Sequence, residues 1–222
     1  MKTTAIIVAA GSGSRFNSDT PKQFLEFNGR SVIEHTIERI SAAPSIDEIV
    51  VVLAEDQLDR ISLHDHSKLT AIIPGGTTRA HSVLNGLKAV SNDTSIVAVH
   101  DGARPLVTVD EIERTVEAAK GTGAACLVAP LTDTIKAIRG NEIAATLDRS
   151  KLRRALTPQA FKAEVLQRAF EGVDLDQSIT DECYLVEKLG HPIAMVEGSA
   201  RNIKITHGDD ILIAEALLNA EN

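Results

Sequence analysis

Two short stretches near the N-terminus place cations beside backbone that can close on an anion. After Ile6-Ile7-Val8 the chain runs Ala9-Ala10-Gly11-Ser12-Gly13-Ser14-Arg15-Phe16, followed by Thr20-Pro21-Lys22-Gln23-Phe24. Small residues from Ala9 to Gly13 let the backbone approach a ligand and aim successive N–H groups at phosphate oxygens. Arg15 and Lys22 add charge that the backbone lacks. A dinucleotide fingerprint needs glycine at the sixth position from Gly11, where Phe16 stands, and a P-loop needs a closing Gly-Lys-Ser/Thr, which is missing. A plain glycine-rich turn accounts for the glycines but not for Arg15 placed with Pro21-Lys22.

Three further stretches carry chemistry. Gly75-Gly76-Thr77-Thr78-Arg79-Ala80-His81-Ser82 joins a glycine pair to a helix start, offering backbone donors and acceptors plus a hydroxyl, enough to read a base edge; a turn and N-cap would look the same. His100-Asp101-Gly102-Ala103-Arg104-Pro105 sets an acid and a base three residues apart at a strand end, where carboxylate and guanidinium can grip polyol hydroxyls from two sides or simply pair with each other. In Asn202-Ile203-Lys204-Ile205-Thr206 a lysine lies between β-branched neighbours, which on its own reads as a side chain snorkelling to water. The seven histidines have no metal-ligand spacing, and no Cys/His nucleophile pattern is present.

These residues need strands and helices to hold them. Strands are expected over Thr4–Ala9, Glu48–Leu53, Leu69–Ile73, Ser95–Val99, Ala124–Ala129, Ile193–Val196 and Ile203–Thr206. Several are apolar throughout, as strands covered on both faces are. Between them, Ser31 with Glu34 and Thr108 with Glu111 have capping-box spacing ahead of amphipathic runs, and Arg79–Val90 and Asp209–Asn219 read as further helices. The alternation predicts one α/β domain over 1–222, a three-layer α/β/α sandwich around a mostly parallel, Rossmann-like sheet. Residues 131–156 break the rhythm: Ile135–Ile138 and Ile143–Leu147 flank Gly140-Asn141 as a β-hairpin. A lone hairpin is marginal in water, so this protruding arm is expected to pack on another subunit, although an excursion folded onto its own sheet is the alternative.

Composition narrows the partners. A net charge of −8, from 31 acidic and 23 basic residues, argues against nucleic-acid binding, so an anionic substrate must meet a local cation cluster. The apolar runs are too short for a membrane span, and no cleavable leader is expected ahead of the first strand. Five Phe, one Tyr and no Trp leave the core to Val, Ile, Leu and Ala. Cys126 and Cys183 suit a reducing, cytoplasmic setting as inert core or near-surface residues.

The loop with Pro21-Lys22-Gln23-Phe24 resembles the signature of sugar- and polyol-phosphate nucleotidyltransferases, and in particular the 2-C-methyl-D-erythritol 4-phosphate cytidylyltransferases of non-mevalonate isoprenoid synthesis. The resemblance runs from Thr4 to about Leu218. It implies a nucleotide-diphospho-sugar transferase fold and transfer of a cytidylyl group from CTP to 2-C-methyl-D-erythritol 4-phosphate, giving 4-diphosphocytidyl-2-C-methyl-D-erythritol and pyrophosphate. Ala9, Ala10, Gly11, Ser12 and Gly13 would lie against the nucleotide, Gly76, Thr77 and Ser82 against cytosine, and Gly102 near the ribose. The family often carries Asp at the position of Thr77, which makes a backbone contact the expectation there. Asp101 and Arg104 would hold the methylerythritol moiety. Thr134 and Arg149, on the 131–156 arm of a homodimer, would reach the acceptor phosphate across the subunit boundary. Thr180, which a helix N-cap explains equally well, would lie near the same substrate. Arg15, Lys22 and Lys204 would be the catalytic cations, and Mg²⁺ is expected to bridge the phosphates, held mainly by the nucleotide without a protein metal site. The acceptor is already an ionised phosphate, so no general base is needed; the requirement is relief of charge repulsion around phosphorus. Ribitol-5-phosphate cytidylyltransferases share several of these motifs and are the nearest alternative. A non-catalytic nucleotide-binding regulator and, more distantly, a dinucleotide oxidoreductase are the readings from other classes.

Overall fold

The computed structural model describes residues 1–11, 20–177 and 179–220. Its strands are β1 (Lys2–Val8), β2 (Glu26–Phe27), β3 (Arg30–Ser31), β4 (Glu48–Leu53), β5 (Leu69–Pro74), β6 (Thr94–Asp101), β7 (Ala124–Pro130), β8 (Lys136–Arg139), β9 (Glu142–Thr146), β10 (Arg153–Lys162) and β11 (Ala194–Glu197). Its α-helices are α1 (Val32–Ser41), α2 (Arg79–Ala89), α3 (Val109–Thr122), α4 (Ala163–Phe170), α5 (Glu182–Lys188) and α6 (Gly208–Asn219). Among the described residues, seven strands form the main sheet in the order β11-β7-β10-β6-β1-β4-β5. All neighbours run parallel except β10, which is antiparallel to both β6 and β7.

Successive side chains on a strand point to opposite faces, so each parallel strand must feed two cores. Ala5 and Ile7 of β1 join one cluster with Ile33, Ile37 and Ile40 of α1 and Ile112, Val116 and Ala119 of α3. Ile6 joins the other with Val83 and Leu87 of α2, Leu166 and Phe170 of α4, and Leu185 and Val186 of α5. The expected three-layer sandwich is what these two clusters build. Both capping boxes are present: Ser31 and Thr108 each accept from, and donate to, the glutamate three residues on. Helix α3 ends on Gly123 at φ +91°, a left-handed turn suited to glycine, whose N–H closes on the Ala119 carbonyl.

Two expectations are corrected. Ile203–Thr206 is not a strand. The Ile205 N–H donates to the Ala103 carbonyl at 2.8 Å, which ties the segment to the loop after β6 rather than to a ladder. In the other direction, Arg153–Lys162 is a full central strand that the residue pattern hides. Its pairing with β7 shifts between Ala155 and Gln159, where the Thr157–Pro158 peptide bond is cis. Arg153, Arg154 and Ala155, the far end of the 131–156 segment, therefore belong to the main sheet. The hairpin itself is where it was expected: β8 and β9 pair antiparallel, with Ile138 and Ile143 at 74% and 68% exposure.

Candidate active site

The carboxyl ends of β1 and β6 and the segment that follows β5 line a cleft of about 480 Å³, as open parallel sheets place their ligands. Close backbone approach builds one wall. The Ala9 N–H donates to the Val52 carbonyl and the Gly75 N–H to the Leu53 carbonyl, which draws the loop after β5 against the end of β1. A side chain at Gly75 would put its Cβ 2.3 Å from Ala10 Cβ, so only glycine fits that contact. Ser82 is buried on α2; its hydroxyl accepts from the Gly76 N–H at 3.1 Å and donates to the Thr78 carbonyl at 3.0 Å, shaping the turn from inside. Thr78 caps α2 by accepting from the His81 N–H.

The opposite wall is charged. Asp101 ends β6, and its carboxylate meets three cations from three elements. Arg79, the first residue of α2, donates from Nε and Nη2 to Oδ1 at 3.2 and 3.1 Å. Lys204 Nζ donates to Oδ2 at 2.8 Å, and Arg104 Nε reaches Oδ2 at 3.4 Å. Burial alone would raise the Asp101 pKa, but Arg79, Lys204 and Arg104 outweigh it and hold the carboxyl well below the usual carboxylate range. Arg79 is shared, because its Nη1 donates to Oε1 of the fully buried Glu182 at 2.5 Å. Burial would lower the Arg79 pKa; Glu182 and Asp101 reverse that and raise it.

Behind the carboxylate lies a hydrogen-bonded cage. The Asp101 N–H donates to Thr157 Oγ1 at 3.1 Å, and that hydroxyl also bonds His100 Nδ1 at 3.0 Å. His100 Nε2 bonds the Arg104 carbonyl, Arg104 Nη1 donates to the Asn202 carbonyl, and Asn202 Nδ2 donates to the Thr157 carbonyl. Burial pushes the His100 imidazole down from 6.5 to about 4, so near neutrality it is uncharged and one ring nitrogen accepts while the other donates. The cage fixes Asp101 and Arg104 together. Lys22, on a short 3₁₀ turn after Pro21, donates to the Ile205 carbonyl at 3.1 Å, so that turn is tied to the Lys204 segment.

Of the residues expected from sequence, Ala9, Ala10, Gly11, Lys22, Gly76, Thr77, Ser82, Asp101 and Lys204 line this one cleft. Ser12, Gly13 and Arg15 lie outside the described residues. Arg104 sits against Asp101 but is buried beneath the wall. Gly102 is also buried; its N–H goes to the Val8 carbonyl and its carbonyl accepts from Thr36, and Ala103 is the neighbour that reaches the cleft. Thr134 and Arg149 are exposed on the arm and do not line their own chain's cleft; the Arg149 guanidinium holds the Thr132 carbonyl. Thr180 is exposed, and the cap of α5 is Asp181, which accepts from the Tyr184 N–H at 2.9 Å. Sequence reading passed over Arg79, Glu182, Thr157 and Asn202 as functional groups. Arg79 lay within a quoted motif, between the glycine pair and Ser82.

No group of three or more His, Cys, Asp or Glu side chains among the described residues is arranged to hold a metal ion. Asp101, the carboxylate at the cleft, already has both oxygens on cations. The cations along the described part of the cleft suit phosphate oxygens. No helix among the described residues is long and apolar enough to cross a membrane.

The chain resembles known proteins along nearly its whole length. Residues 3–220 match the family model described as 2-C-methyl-D-erythritol 4-phosphate cytidylyltransferase. The protein of that name from Syntrophus aciditrophicus is 42% identical over 229 residues, covering 99% of this chain and 97% of the relative. Among solved structures, the 4-diphosphocytidyl-2C-methyl-D-erythritol synthase of Anaerococcus prevotii superposes with a TM-score of 0.87 at 30% identity, over 98% of this chain and 96% of that one. The 2-C-methyl-D-erythritol 4-phosphate cytidylyltransferase of Thermus thermophilus gives 0.79 at 34% identity, over 99% and 100%.

Proposed function

The chain belongs to the 2-C-methyl-D-erythritol 4-phosphate cytidylyltransferase family, and on that premise we propose that its cleft joins the cytidylyl group of CTP to 2-C-methyl-D-erythritol 4-phosphate, releasing pyrophosphate. One observation carries the assignment of the site. Lys22 and Lys204, 182 positions apart in the chain, line one cleft with Asp101, between a glycine-built wall and a carboxylate ringed by cations.

A phosphate oxygen of the acceptor attacks the α-phosphorus of CTP; the bond from that phosphorus to the bridging oxygen breaks, and pyrophosphate leaves in line. No proton has to be removed first. The work of the protein is to bring two polyanions together and to spread the charge of the transition state. Lys204 faces the α-phosphate: its ammonium has three donors and gives one to Asp101. Lys22, with Arg15 from the preceding loop, holds the triphosphate and the departing pyrophosphate. The wall of Ala9, Ala10, Gly11, Gly76 and Thr77 takes the nucleoside, while Asp101 binds acceptor hydroxyls and Arg104, buried beneath it, holds that carboxylate in place. Mg²⁺, if carried in with the nucleotide, would supply further charge neutralisation.

The functional unit is a homodimer. Thr134 and Arg149 do not line their own cleft, which suits residues delivered to a second subunit's acceptor phosphate, and the exposed Ile138 and Ile143 offer apolar surface for the contact. Free thiols at Cys126 and Cys183 accord with a reducing cytoplasmic location. The test is pyrophosphate release with CTP and Mg²⁺ against each polyol phosphate. Release with the methylerythritol phosphate and not with ribitol 5-phosphate supports the reading. The reverse preference reassigns the acceptor, and CTP binding without release makes the chain a nucleotide-binding regulator.

A further inference from the structure

Glu182 is the most costly group near the cleft that the mechanism above does not use. It is 0% exposed, burial raises its pKa, and its Oε2 is buried without a hydrogen-bond partner among the described residues. A buried carboxylate with one oxygen unsatisfied is unfavourable unless it holds a charge in place. Anchoring α5 is not its task. Asp181 caps the helix through the Tyr184 N–H and accepts from Gln159 Nε2 at 3.0 Å, while Gln159 Oε1 accepts from the Cys183 N–H at 3.1 Å. Two neighbours therefore already pin the start of α5 onto β10.

What Glu182 does contact is Arg79, whose guanidinium divides between Glu182 Oε1 and Asp101 Oδ1 and also lines the cleft. Without Glu182 no described residue fixes the far edge of that fork, and the guanidinium is free to turn away from Asp101. Asp101 would then lose the partner that sets the plane of its carboxylate, since Lys204 and Arg104 both approach from Oδ2. We infer that Glu182 is a positioning residue for the acceptor: through Arg79 it holds the Asp101 carboxylate in the orientation that grips the polyol hydroxyls. This rests on the assignment of Asp101 to the acceptor.

The test is steady-state kinetics of Glu182→Gln, Arg79→Gln and the double variant, with circular dichroism melts alongside and Asp101→Asn as a control. Misaligning one charge-assisted hydrogen bond should raise KM for the polyol phosphate by about ten- to a hundredfold. KM for CTP and kcat should stay within about threefold, a split that a general loosening of the fold does not produce. The double variant should be no worse than the poorer single one, because both changes break the same brace. Unchanged acceptor KM in Glu182→Gln, equal losses for both substrates, or additive losses overturn the inference. If Glu182→Gln does not fold, the double variant, with a neutral amide pair in place of two buried charges, decides: a parental acceptor KM in it overturns the inference as well. Asp101→Asn separates the two layers. If it leaves the acceptor KM unchanged, the assignment of Asp101 fails; if it raises that KM while Glu182→Gln does not, only the role of Glu182 fails.

Discussion

Replacing Lys204 with alanine separates chemistry from stability more sharply than any other change in the cleft. The ammonium is part-exposed, with 36% side-chain accessibility, and its one described bond is to Asp101 Oδ2 at 2.8 Å. Removing it does not orphan that carboxylate, because Arg79 at 3.1 Å and Arg104 at 3.4 Å still hold it. The stability cost is that of one partly solvated ion pair, at most about 1 kcal/mol. For a chain of this size that lowers Tm by about 2–4 °C. On the proposed role, the transition state loses a donor to developing phosphate charge, worth about 3–4 kcal/mol or 10²–10³ in rate. The rate should thus collapse while the melt barely moves. Pyrophosphate release at saturating CTP and acceptor gives kcat, and circular dichroism gives Tm. A folded Lys204→Ala protein that works within tenfold of the parent would refute the role of this lysine and, with it, the charge-relief account of the cleft.

Three other outcomes are expected. His100 is uncharged in the folded state and titrates near 4, against 6.5 unfolded, so its contribution is complete above pH 6.5 and shrinks as pH falls toward 4. Denaturant unfolding should lose about 1.6 kcal/mol between pH 6.5 and pH 5 from this residue, and His100→Gln should flatten the curve there; an unchanged slope contradicts the buried neutral imidazole. Gly75→Ala would drive a Cβ to 2.3 Å from Ala10 Cβ and 2.9 Å from Ser82 Oγ, forcing the two halves of the nucleoside wall apart. A stability loss of about 1–3 kcal/mol and a raised KM for CTP are expected, and parental values for both would show that the wall is not packed this way. In the arm, Ile138→Asp with Ile143→Asp removes about 1.5–3 kcal/mol of apolar contact per side chain and should leave a monomer by light scattering. Arg149→Ala should stay dimeric with weakened acceptor affinity, and a fully active monomer from the isoleucine changes denies the arm its part in catalysis.

The parallel strands were readable because burial on both faces leaves unbroken β-branched runs such as Glu48–Leu53, which the structure reproduces residue for residue. Strand β10 was hidden for the opposite reason. Arg153-Arg154 and Lys162 are polar ends, and Pro158 argues against a central strand because it has no N–H for the ladder. The register shift between Ala155 and Gln159 is where the sheet accommodates it. Helices α4 and α5, at 8 and 7 residues, are too short for their period to stand out. Ile203–Thr206 has strand composition, but composition does not reveal that its amides are spent on the loop after β6. In the site, Asp101 stood out as a charge at a strand end and Lys22 as a cation beside a glycine-rich stretch, whereas Lys204 on its own read as a snorkelling side chain and was singled out by the family resemblance. Arg79 and Glu182 are 103 residues apart, and only folding shows that they share a charge.

The place of β10 has a consequence for how this molecule comes into being. Strand β7 never borders β6 in the sheet; the reversed strand lies between them as the only connecting rung. While the polypeptide is emerging from the ribosome, β1, β4, β5 and β6 can zip into a half-sheet, but β7 has no seat beside them until residue 162 has been made. Asp101 lies on that late seam, secured by Thr157 from one side and, later still, by Lys204 from the other. A nascent chain would thus have Ala9 and Gly75 drawn together on one side of the cleft before Asp101 is secured on the other.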